Sequence, residues 1–502
     1  MLHRHNDICI IHFNGSDPPQ EGEKSLRHVK PMAQTLFDKL WNLHEITPLD
    51  EGESLLAIDR VFLHERTGSI ALTTMAEESR TVRDPERVFC TMDHIVDTFP
   101  GRGDDTLMPG GKDFILATRE AAREAGIQLF DIDDPRQGIM HVVSPELGIA
   151  LPGLTVVCPD SHSCTLGGIG ALAWGIGSTE AQHAMVTGTL RVRRPGNLRV
   201  HFTGQRPPDV TAKDMILHLI GRHGADGGNG YAVEFTGDAV RDLTIEERLT
   251  LCNMAVEFSA FTGLVAPDER TLDWCRERPF GPTPEHQAAA EAHWRTLQSD
   301  PEANFDRIIE VDATRIRPSV TWGTSPQHTI PLDGRVPDPA SAGNPDEARA
   351  MERALAYMGL APGQPMADVT IDAAFIGSCT NARLSDLRQA AQWLRGKTIA
   401  PGVRAVVVPG SSTVKREAEA EGLDQVFTAA GFEWRESGCS MCLYAGGETF
   451  GPGARVISST NRNFEGRQGP GTRTHLASPL TVVASACAGR LAAAEWPAAQ
   501  TA

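Results

Sequence analysis

The sequence predicts an α/β fold in which helices cover parallel sheets. Three observations predict it: short apolar stretches with strand character alternate with helical stretches, the strand stretches run into loops rich in Gly, Ser and Pro, and the same order recurs in the first and last thirds of the chain. In such folds the loops that follow parallel strands meet at one edge of the sheet. We therefore expect functional residues directly after strands.

The individual helices and strands are predicted from the spacing of apolar residues. Residues 33–44 place Leu36, Leu40 and Leu43 on one helical face. A second helix, over 113–125, ends before Gly126, which adopts the left-handed conformation of a helix cap without strain. The other predicted elements are strands over 127–132, 155–158, 369–376, 404–408 and 455–458, a helix over 384–394 and a helix after residue 412.

The length of 502 residues predicts about three compact units, at roughly 100–200 residues per domain. Clusters of Pro, Gly and Asn punctuate the chain near residue 200 and between residues 336 and 345. We expect a flexible N-terminal extension over 1–31, α/β domains over 32–200, 201–325 and 326–490, and a C-terminal tail over 491–502.

Composition excludes several classes of protein. The hydrophobic fraction of 40% and the charged fraction of 22% are those of a folded globular protein, not of a disordered one. The formal net charge of −18 disfavours nucleic-acid and membrane partners. No apolar run of membrane-spanning length and no secretion signal is found, and the ten cysteines are widely spread. We therefore expect a cytoplasmic protein.

Three cysteines form the first candidate site. Cys439 and Cys442 make a C-x-x-C motif, and Cys379 lies in the loop after the strand predicted over 369–376. These spacings alone leave open a redox pair, part of a zinc site or three unrelated cysteines. A zinc site or an electron-transfer cluster needs a fourth ligand. Three thiolates also suit an iron–sulfur cluster with one iron left free to act as a Lewis acid on substrate.

Histidines beside carboxylates and a pair of arginines form the second candidate site. A carboxylate neighbour holds a histidine in one tautomer and raises its pKa, which suits a proton donor, and the arginine fork matches a carboxylate. Any one of these residues alone is more often an ordinary surface or core residue. The candidates are Asp93, His94, His141, Asp160, His162, Arg462 and Arg467.

These motifs together resemble the aconitase superfamily, and within it the isopropylmalate isomerase branch. The resemblance extends from Met32 to about Ala488. The stretches that carry it are Asp160-Ser161-His162, Thr211-Ala212-Lys213-Asp214, Leu251-Cys252-Asn253-Met254, Leu264-Val265-Ala266-Pro267-Asp268-Glu269, Thr321-Trp322-Gly323-Thr324, Gly377-Ser378-Cys379-Thr380-Asn381 and Asn461-Arg462-Asn463-Phe464-Glu465-Gly466-Arg467.

The resemblance implies a fold and a cofactor. The fold would be three α/β/α domains with parallel sheets around a central cleft, the arrangement of the aconitase iron–sulfur domains, without the swivelling fourth domain. The cofactor would be one 4Fe–4S cluster per chain, with one open iron and three ligands at Cys379, Cys439 and Cys442.

The resemblance also implies a role for each site residue. Asp93 and His94 would protonate the departing hydroxyl group, and Arg462, Arg467 and Ser161 would bind substrate carboxylates. Residues that order the water and hydroxyl, or that contact the cluster surroundings, would be His141, Asp160, His162, Glu234, Asn253 and Asn461.

The implied reaction is the isomerisation of 2-isopropylmalate and 3-isopropylmalate by dehydration and rehydration, a step of leucine biosynthesis. The base that removes the carbon-bound proton is a serine of the swivelling domain, which in this branch is a separate small subunit. We therefore expect this chain to be the large subunit of a two-subunit hydro-lyase.

Three positions depart from the pattern of relatives. Ile70 stands where glutamine is usual, Ile95 replaces a common asparagine, and the segment around Gly446 lacks expected asparagines. If these positions line the pocket, the substrate could be another alkylmalate, as in a methylmalate/citraconate or dimethylmalate dehydratase. A cluster-free RNA-binding protein and a zinc-stabilised module are more remote alternatives, and the net charge counts against the first.

Overall fold

The structure is a computed structural model that describes residues 33–444 and 446–495. The predicted N-terminal extension lies outside the described residues, as do residues 496–502 of the predicted tail. Within the described ranges no helix combines the length and the apolar character that crossing a membrane requires.

The first part of the described chain forms a parallel sheet and a small antiparallel sheet. Strands β3 to β7 form the parallel sheet in the order β5-β4-β3-β6-β7, and β1, β2 and β8 form the antiparallel one. The elements are α1 (Leu36–His44), β1 (Glu45–Pro48), β2 (Glu53–Ala57), β3 (Arg60–His64), α2 (Glu65–Glu77), β4 (Val88–Thr91), α3 (Gly111–Ala125), β5 (Gln128–Phe130), α4 (Met140–Leu147), β6 (Thr155–Cys158), β7 (Leu172–Gly175), α5 (Ser178–Thr187) and β8 (Thr189–Arg193).

The middle part forms a second parallel sheet, in the strand order β11-β10-β9-β12. Its elements are β9 (Gly196–Thr203), α6 (Ala212–His223), β10 (Tyr231–Thr236), α7 (Asp238–Arg241), α8 (Ile245–Asn253), β11 (Thr262–Leu264), α9 (Glu269–Cys275), α10 (Pro284–Trp294) and β12 (Arg307–Asp312).

The last part forms a third parallel sheet, in the order β17-β16-β15-β18-β19, and the antiparallel pair β13 and β14. Its elements are β13 (Ser319–Thr321), β14 (Thr329–Pro331), α11 (Pro345–Met358), β15 (Ala373–Ile376), α12 (Leu384–Leu394), β16 (Arg404–Val407), α13 (Ser412–Ala420), α14 (Leu423–Ala430), β17 (Phe432–Trp434), β18 (Arg455–Ser458), β19 (Arg473–Leu476) and α15 (Pro479–Ala488).

The parallel α/β architecture predicted from the sequence is confirmed, and so are its main elements. Strands β6 and β18 and helix α12 have the predicted bounds, and Gly126 ends α3 with a φ of 68°. The strand predicted over 369–376 begins only at Ala373. The residues before it hydrogen-bond the chain after α15 instead, since Ile371 N donates to Gly489 O and Leu491 N to Val369 O.

Apolar cores lie between the sheets and their helices, and one of them crosses a predicted boundary. Leu272, Cys275 and Trp294, from α9 and α10, pack in the same core as Leu63 and Trp174 of the first sheet. The number of parallel sheets equals the number of predicted domains, and the domain boundaries stay predictions.

Each of the three parallel sheets contains a point where the strand order reverses, which in the second sheet lies between β9 and β12. In the first sheet it lies between β3 and β6, and in the third between β15 and β18. Loops at the carboxyl ends of strands on either side of such a point leave a crevice that binds ligands. The loops after β3, β4, β6, β15, β17 and β18 carry the chemistry described next.

Candidate active site

A cleft of about 310 Å³ brings together residues from these loops. Its lining contains the three predicted cysteines, two of the predicted histidines and both predicted arginines. The residues that line it are His64, Arg66, Thr67, His94, Ile139, Pro159, Asp160, Ser161, His162, Cys379, Cys439, Cys442, Leu443, Asn461, Arg462 and Arg467.

The three cysteines are buried at the base of loops in the third sheet. Cys379 follows β15 in a tight turn in which Ser378 has a φ of 82°, a left-handed conformation that costs a residue with a side chain free energy. Cys439 and Cys442 flank a short turn after β17, in which Ser440 has a φ of 49°. Both turns direct the cysteines into the same cleft.

Polar hydrogens point at the cysteine sulfurs. The amides of Asn253 and Asn461 lie 3.2 and 3.4 Å from Cys379 Sγ, and a guanidinium nitrogen of Arg467 lies 3.7 Å from Cys442 Sγ. Burial raises the pKa of the Cys379 thiol to about 12 and raises that of Cys439 well above its usual value. A thiol with a raised pKa ionises at neutral pH only when a cation stabilises the thiolate. The amide and guanidinium groups beside these sulfurs can donate hydrogen bonds to such a thiolate. The donor set therefore fits an iron–sulfur cluster bound through thiolates.

His94 is held between two carboxylates. Its Nδ1 lies 2.6 Å from Asp93 Oδ1 and its Nε2 lies 3.2 Å from Asp160 Oδ2. Burial alone lowers the pKa of His94, but the charges of Asp93 and Cys439 and the hydrogen bond with Asp160 raise it well above its usual value. His94 is therefore a protonated imidazole that faces the cleft and can donate a proton.

Asp160 joins three histidines. Its Oδ1 lies 3.0 Å from His141 Nε2 and accepts a hydrogen bond of 2.8 Å from the backbone N–H of His162, while Oδ2 faces His94. Burial alone raises the pKa of Asp160, but the charge of His141 and the three histidine hydrogen bonds lower it well below its usual value. The structure therefore joins His94, His141 and His162 to one ionised carboxylate.

Glu257 is a site residue that the sequence reasoning missed. Its Oε1 accepts a hydrogen bond of 2.6 Å from Arg462 Nε and lies 2.9 Å from His162 Nε2. Burial alone raises the pKa of Glu257, but the hydrogen bond and charge of His162 and the charge of Arg462 lower it overall. A signal for Glu257 was present in the sequence, because this acidic residue lies only four positions after Asn253, a residue of the family motif.

The structure does not bring Glu234, which was predicted to bond the bound water, to the cleft. Glu234 lies within β10, is buried, and accepts a hydrogen bond of 2.6 Å from Ser299 Oγ. The carboxylate beside His162 in this structure is that of Glu257.

Two adjacent residues at the end of β3 were also missed. His64 lines the cleft and stacks on His94 with ring centroids 4.1 Å apart. Burial and the charge of His94 lower the pKa of His64 to about 4, so its ring is neutral. Glu65 is buried behind the loop that carries Asp93. A histidine and an acid after a strand repeat the pattern of Asp93 and His94 after β4, which is the signal that could have found them.

The three positions at which the sequence analysis expected departures do not line the cleft. Ile70 is 50% exposed, in a groove between α2 and α3, and Ile95 is fully buried. A Cβ at Gly446 would lie 3.3 Å from the carbonyl oxygen of His94, so this residue packs behind the histidine. Among the described residues that line the cleft, none is one of these three.

Comparison with known proteins gives one family. A family model described as the aconitase family (aconitate hydratase) matches residues 38–489, which include all three parallel sheets. The chain is 53% identical over 466 residues to 3-isopropylmalate dehydratase large subunit 1 of Bradyrhizobium diazoefficiens, covering 93% of this chain and 97% of that protein. Among solved structures, the holo-form of aconitase X of Thermococcus kodakaraensis is similar with a TM-score of 0.42 and 15% identity, covering 82% of this chain and 84% of that one.

Proposed function

The chain belongs to the aconitase family, and on this premise we propose that it is the large subunit of a hydro-lyase that isomerises 2-isopropylmalate and 3-isopropylmalate. Water is removed and added back at the neighbouring carbon, a step of leucine biosynthesis. The observation that carries the proposal is the cleft itself. Three buried cysteines, a histidine held between two carboxylates and two arginines face one space of about 310 Å³.

Cys379, Cys439 and Cys442 would hold one 4Fe–4S cluster. When bound, a cluster with one open iron supplies a Lewis acid that polarises a substrate hydroxyl and carboxylate. The chain's own contribution is to keep these thiolates buried and to direct the amides of Asn253 and Asn461 at the sulfur of Cys379. Hydrogen bonds of this kind to ligand sulfurs tune a cluster in proteins.

His94 would protonate the departing hydroxyl group. In the dehydration direction it gives up a proton as the carbon–oxygen bond breaks, and in the hydration direction it takes the proton back from the attacking water. Asp93 on one ring nitrogen and Asp160 on the other favour the protonated ring between turnovers. His141 and His162, which share Asp160, would order the water that leaves.

The arginines and Ser161 would bind the two substrate carboxylates. Arg462 is oriented by its bond to Glu257, which leaves the terminal guanidinium nitrogens for substrate. Arg467 is buried, and within the described part of the chain its Nε has no hydrogen-bond partner. An unpartnered buried donor is costly, and a substrate carboxylate would satisfy it.

A separate small subunit would supply the serine that removes the carbon-bound proton. The curated relative is itself named a large subunit, which supports a two-subunit enzyme here. We also propose that the protein works in the reducing environment of the cytoplasm, because the nine cysteines inside the described ranges are all free thiols.

The activity is tested by co-expressing the chain with its small subunit, purifying the complex without oxygen, and assaying a panel of 2-alkylmalates. We expect iron and sulfide rather than zinc in the metal analysis, and fastest turnover with 2-isopropylmalate. Faster turnover of a methylmalate or dimethylmalate would reassign the substrate. Zinc without iron, or a salt-dependent RNA complex, would point to the more remote alternatives.

Replacing Cys379 by Ser should abolish both the visible absorbance of the cluster and the activity, because a serine hydroxyl is a poor ligand for iron in a sulfur cluster. The matched control is Cys487→Ser, since Cys487 is a half-buried thiol in α15 that does not line the cleft. We expect circular dichroism of both variants to match the parent protein. Normal turnover in the Cys379 variant would contradict the ligand assignment.

A further inference from the structure

Glu65 is a buried carboxylate that the proposed reaction does not use directly. It is the first residue of α2, directly after β3, and its side chain has no exposure to solvent. A carboxylate is rarely buried in this way unless several donors satisfy it. Its donors therefore indicate what it does.

Four consecutive backbone N–H groups donate to this one carboxylate. Asp93 N lies 3.0 Å from Oε2, and the nitrogens of His94, Ile95 and Val96 lie 2.7, 2.5 and 3.3 Å from Oε1. Successive amides turned towards one anion form a concave anion site in the backbone. Glu65 thus clamps the loop that carries the proposed proton donor.

The same residues also form a group of potential metal ligands. Donor atoms of His64, Glu65, Asp93 and His94 lie within 4.8 Å of one another. However, both oxygens of Glu65 accept from the four amides, and both ring nitrogens of His94 face carboxylates. Both Glu65 oxygens and both His94 ring nitrogens are therefore already engaged in hydrogen bonds, so we interpret these residues as a hydrogen-bonded cluster that positions His94.

The clamped loop also contacts the cysteine turn. Asp93 O accepts a hydrogen bond of 2.8 Å from the backbone N–H of Cys439, and Asp93 Oδ2 accepts one of 3.3 Å from Met140 N. A displacement of the loop would therefore move His94 relative to Asp160 and to the cysteines together. Misplacement of a reacting group by about 1 Å can cost on the order of 100-fold in rate.

We propose that Glu65 is the positioning residue of the Asp93–His94 pair, fixing residues 93–96 by its four amide contacts so that His94 stands between Asp93 and Asp160. This inference rests on the proposed function, because it assigns the pair its role in proton donation. It adds a residue that does not touch substrate and acts through His94.

The test compares Glu65→Gln with Glu77→Gln in the assembled, cluster-containing complex. Glutamine directs an N–H₂ group at backbone N–H donors and so breaks part of the clamp, whereas Glu77 is exposed at the far end of α2. For Glu65→Gln we expect faster amide hydrogen exchange in residues 93–96, a fall in kcat of about 10- to 100-fold, and a KM within about twofold of the parent. For Glu77→Gln we expect no change in the exchange of residues 93–96, in kcat or in KM.

Each outcome decides the matter. Unchanged exchange at residues 93–96 would overturn the clamp, and faster exchange with unchanged kcat would overturn the positioning role. If the parent complex had no hydro-lyase activity, the proposed function would fail, while the exchange measurement would still report on the clamp. Should the glutamine variant not fold, Glu65→Asp, which keeps the charge but is one methylene shorter, goes through the same measurements.

Discussion

The protonation state of His94 is set before substrate arrives. Its two ring nitrogens face Asp93 and Asp160. Only the protonated ring has two N–H groups, so only that form can donate a hydrogen bond to both carboxylates. The neighbouring His64 is stacked on it with a pKa lowered to about 4 by burial and by the charge of His94. Of the two stacked rings, one therefore holds the proton and the other stays neutral.

Glu257 is expected to matter for substrate binding because it orients Arg462 through a bond of 2.6 Å to Nε. In Glu257→Gln the neutral amide holds Arg462 and His162 less strongly. We expect the KM for isopropylmalate to rise by about 10-fold, with a smaller change in kcat, because a charge-assisted hydrogen bond contributes about 1.5–3 kcal/mol. Steady-state kinetics of the assembled enzyme measure both values.

Glu234→Gln is the matched control for that change. Glu234 is a buried carboxylate bonded to Ser299, away from the arginines, and was the glutamate that the sequence motif indicated. We expect its replacement to leave the KM unchanged. A KM that rises in this variant and not in Glu257→Gln would restore the assignment made from sequence.

At the scale of elements, the turn between β15 and α12 is braced from behind by Arg383. This residue is buried and donates hydrogen bonds of 2.8 Å to both the Cys379 and the Thr380 carbonyl oxygens. Its own backbone N–H donates to Asp386, which begins the hydrogen bonding of α12. The side chain thus offsets the cost of the left-handed Ser378 next to the cysteine.

Arg383→Lys should make the cluster easier to lose. Lysine cannot donate to both carbonyls through a rigid fork, and an unsatisfied buried carbonyl costs about 1–3 kcal/mol. We expect the visible absorbance to decay several-fold faster in the presence of an iron chelator. Arg388→Lys, on the exposed face of the same helix, should decay like the parent, and equal rates in the two variants would show that the brace is dispensable.

Elements could be predicted from sequence where the residues that identify them are contiguous in the chain. The loops with Cys379, Asp160 and Arg462 are encoded by contiguous motifs after apolar strands, so sequence was sufficient to find them. Glu257 becomes a site residue through His162 and Arg462, which lie 95 and 205 residues away in the chain. Glu65 becomes one through four amides that carry no side-chain signal. Contacts of these kinds depend on tertiary packing.

At the scale of the whole molecule, all three parts of the chain meet at Glu146. It lies in α4, accepts a hydrogen bond of 2.8 Å from Ser411 at the start of α13, and is close to the charges of Glu246 and Arg383. Burial, together with the charge of Glu246, raises the pKa of Glu146 from 4.5 to about 8. The parallel α/β architecture followed from the sequence, whereas this junction, like the packing of α9 and α10 on the first sheet, did not.

The raised pKa makes the stability of this junction depend on pH. Between its unfolded value and about 8 the folded chain binds the extra proton, so stability falls as pH rises through that window and is level above it. We expect Glu146→Gln to raise the midpoint of thermal unfolding at about pH 8.5 and to leave it nearly unchanged at about pH 5. Glu124→Gln, an exposed change on α3, is the control, and calorimetry should find the same unfolding midpoint as in the parent protein at both pH values. An equal gain at both pH values would rule out titration of Glu146 as the cause.

The cleft lined by loops of the first and the third sheet also has a consequence for biosynthesis. His64 and Arg467, the first and last residues of the cleft lining in chain order, are roughly 400 residues apart. At about 5–20 residues per second, a ribosome needs on the order of 20–80 s to synthesise the chain between them. During that interval the first sheet can fold, but the three cysteines of the cleft have not yet been synthesised. A cluster held by Cys379, Cys439 and Cys442 would therefore be inserted only after synthesis has passed Cys442, when the first sheet has long been made.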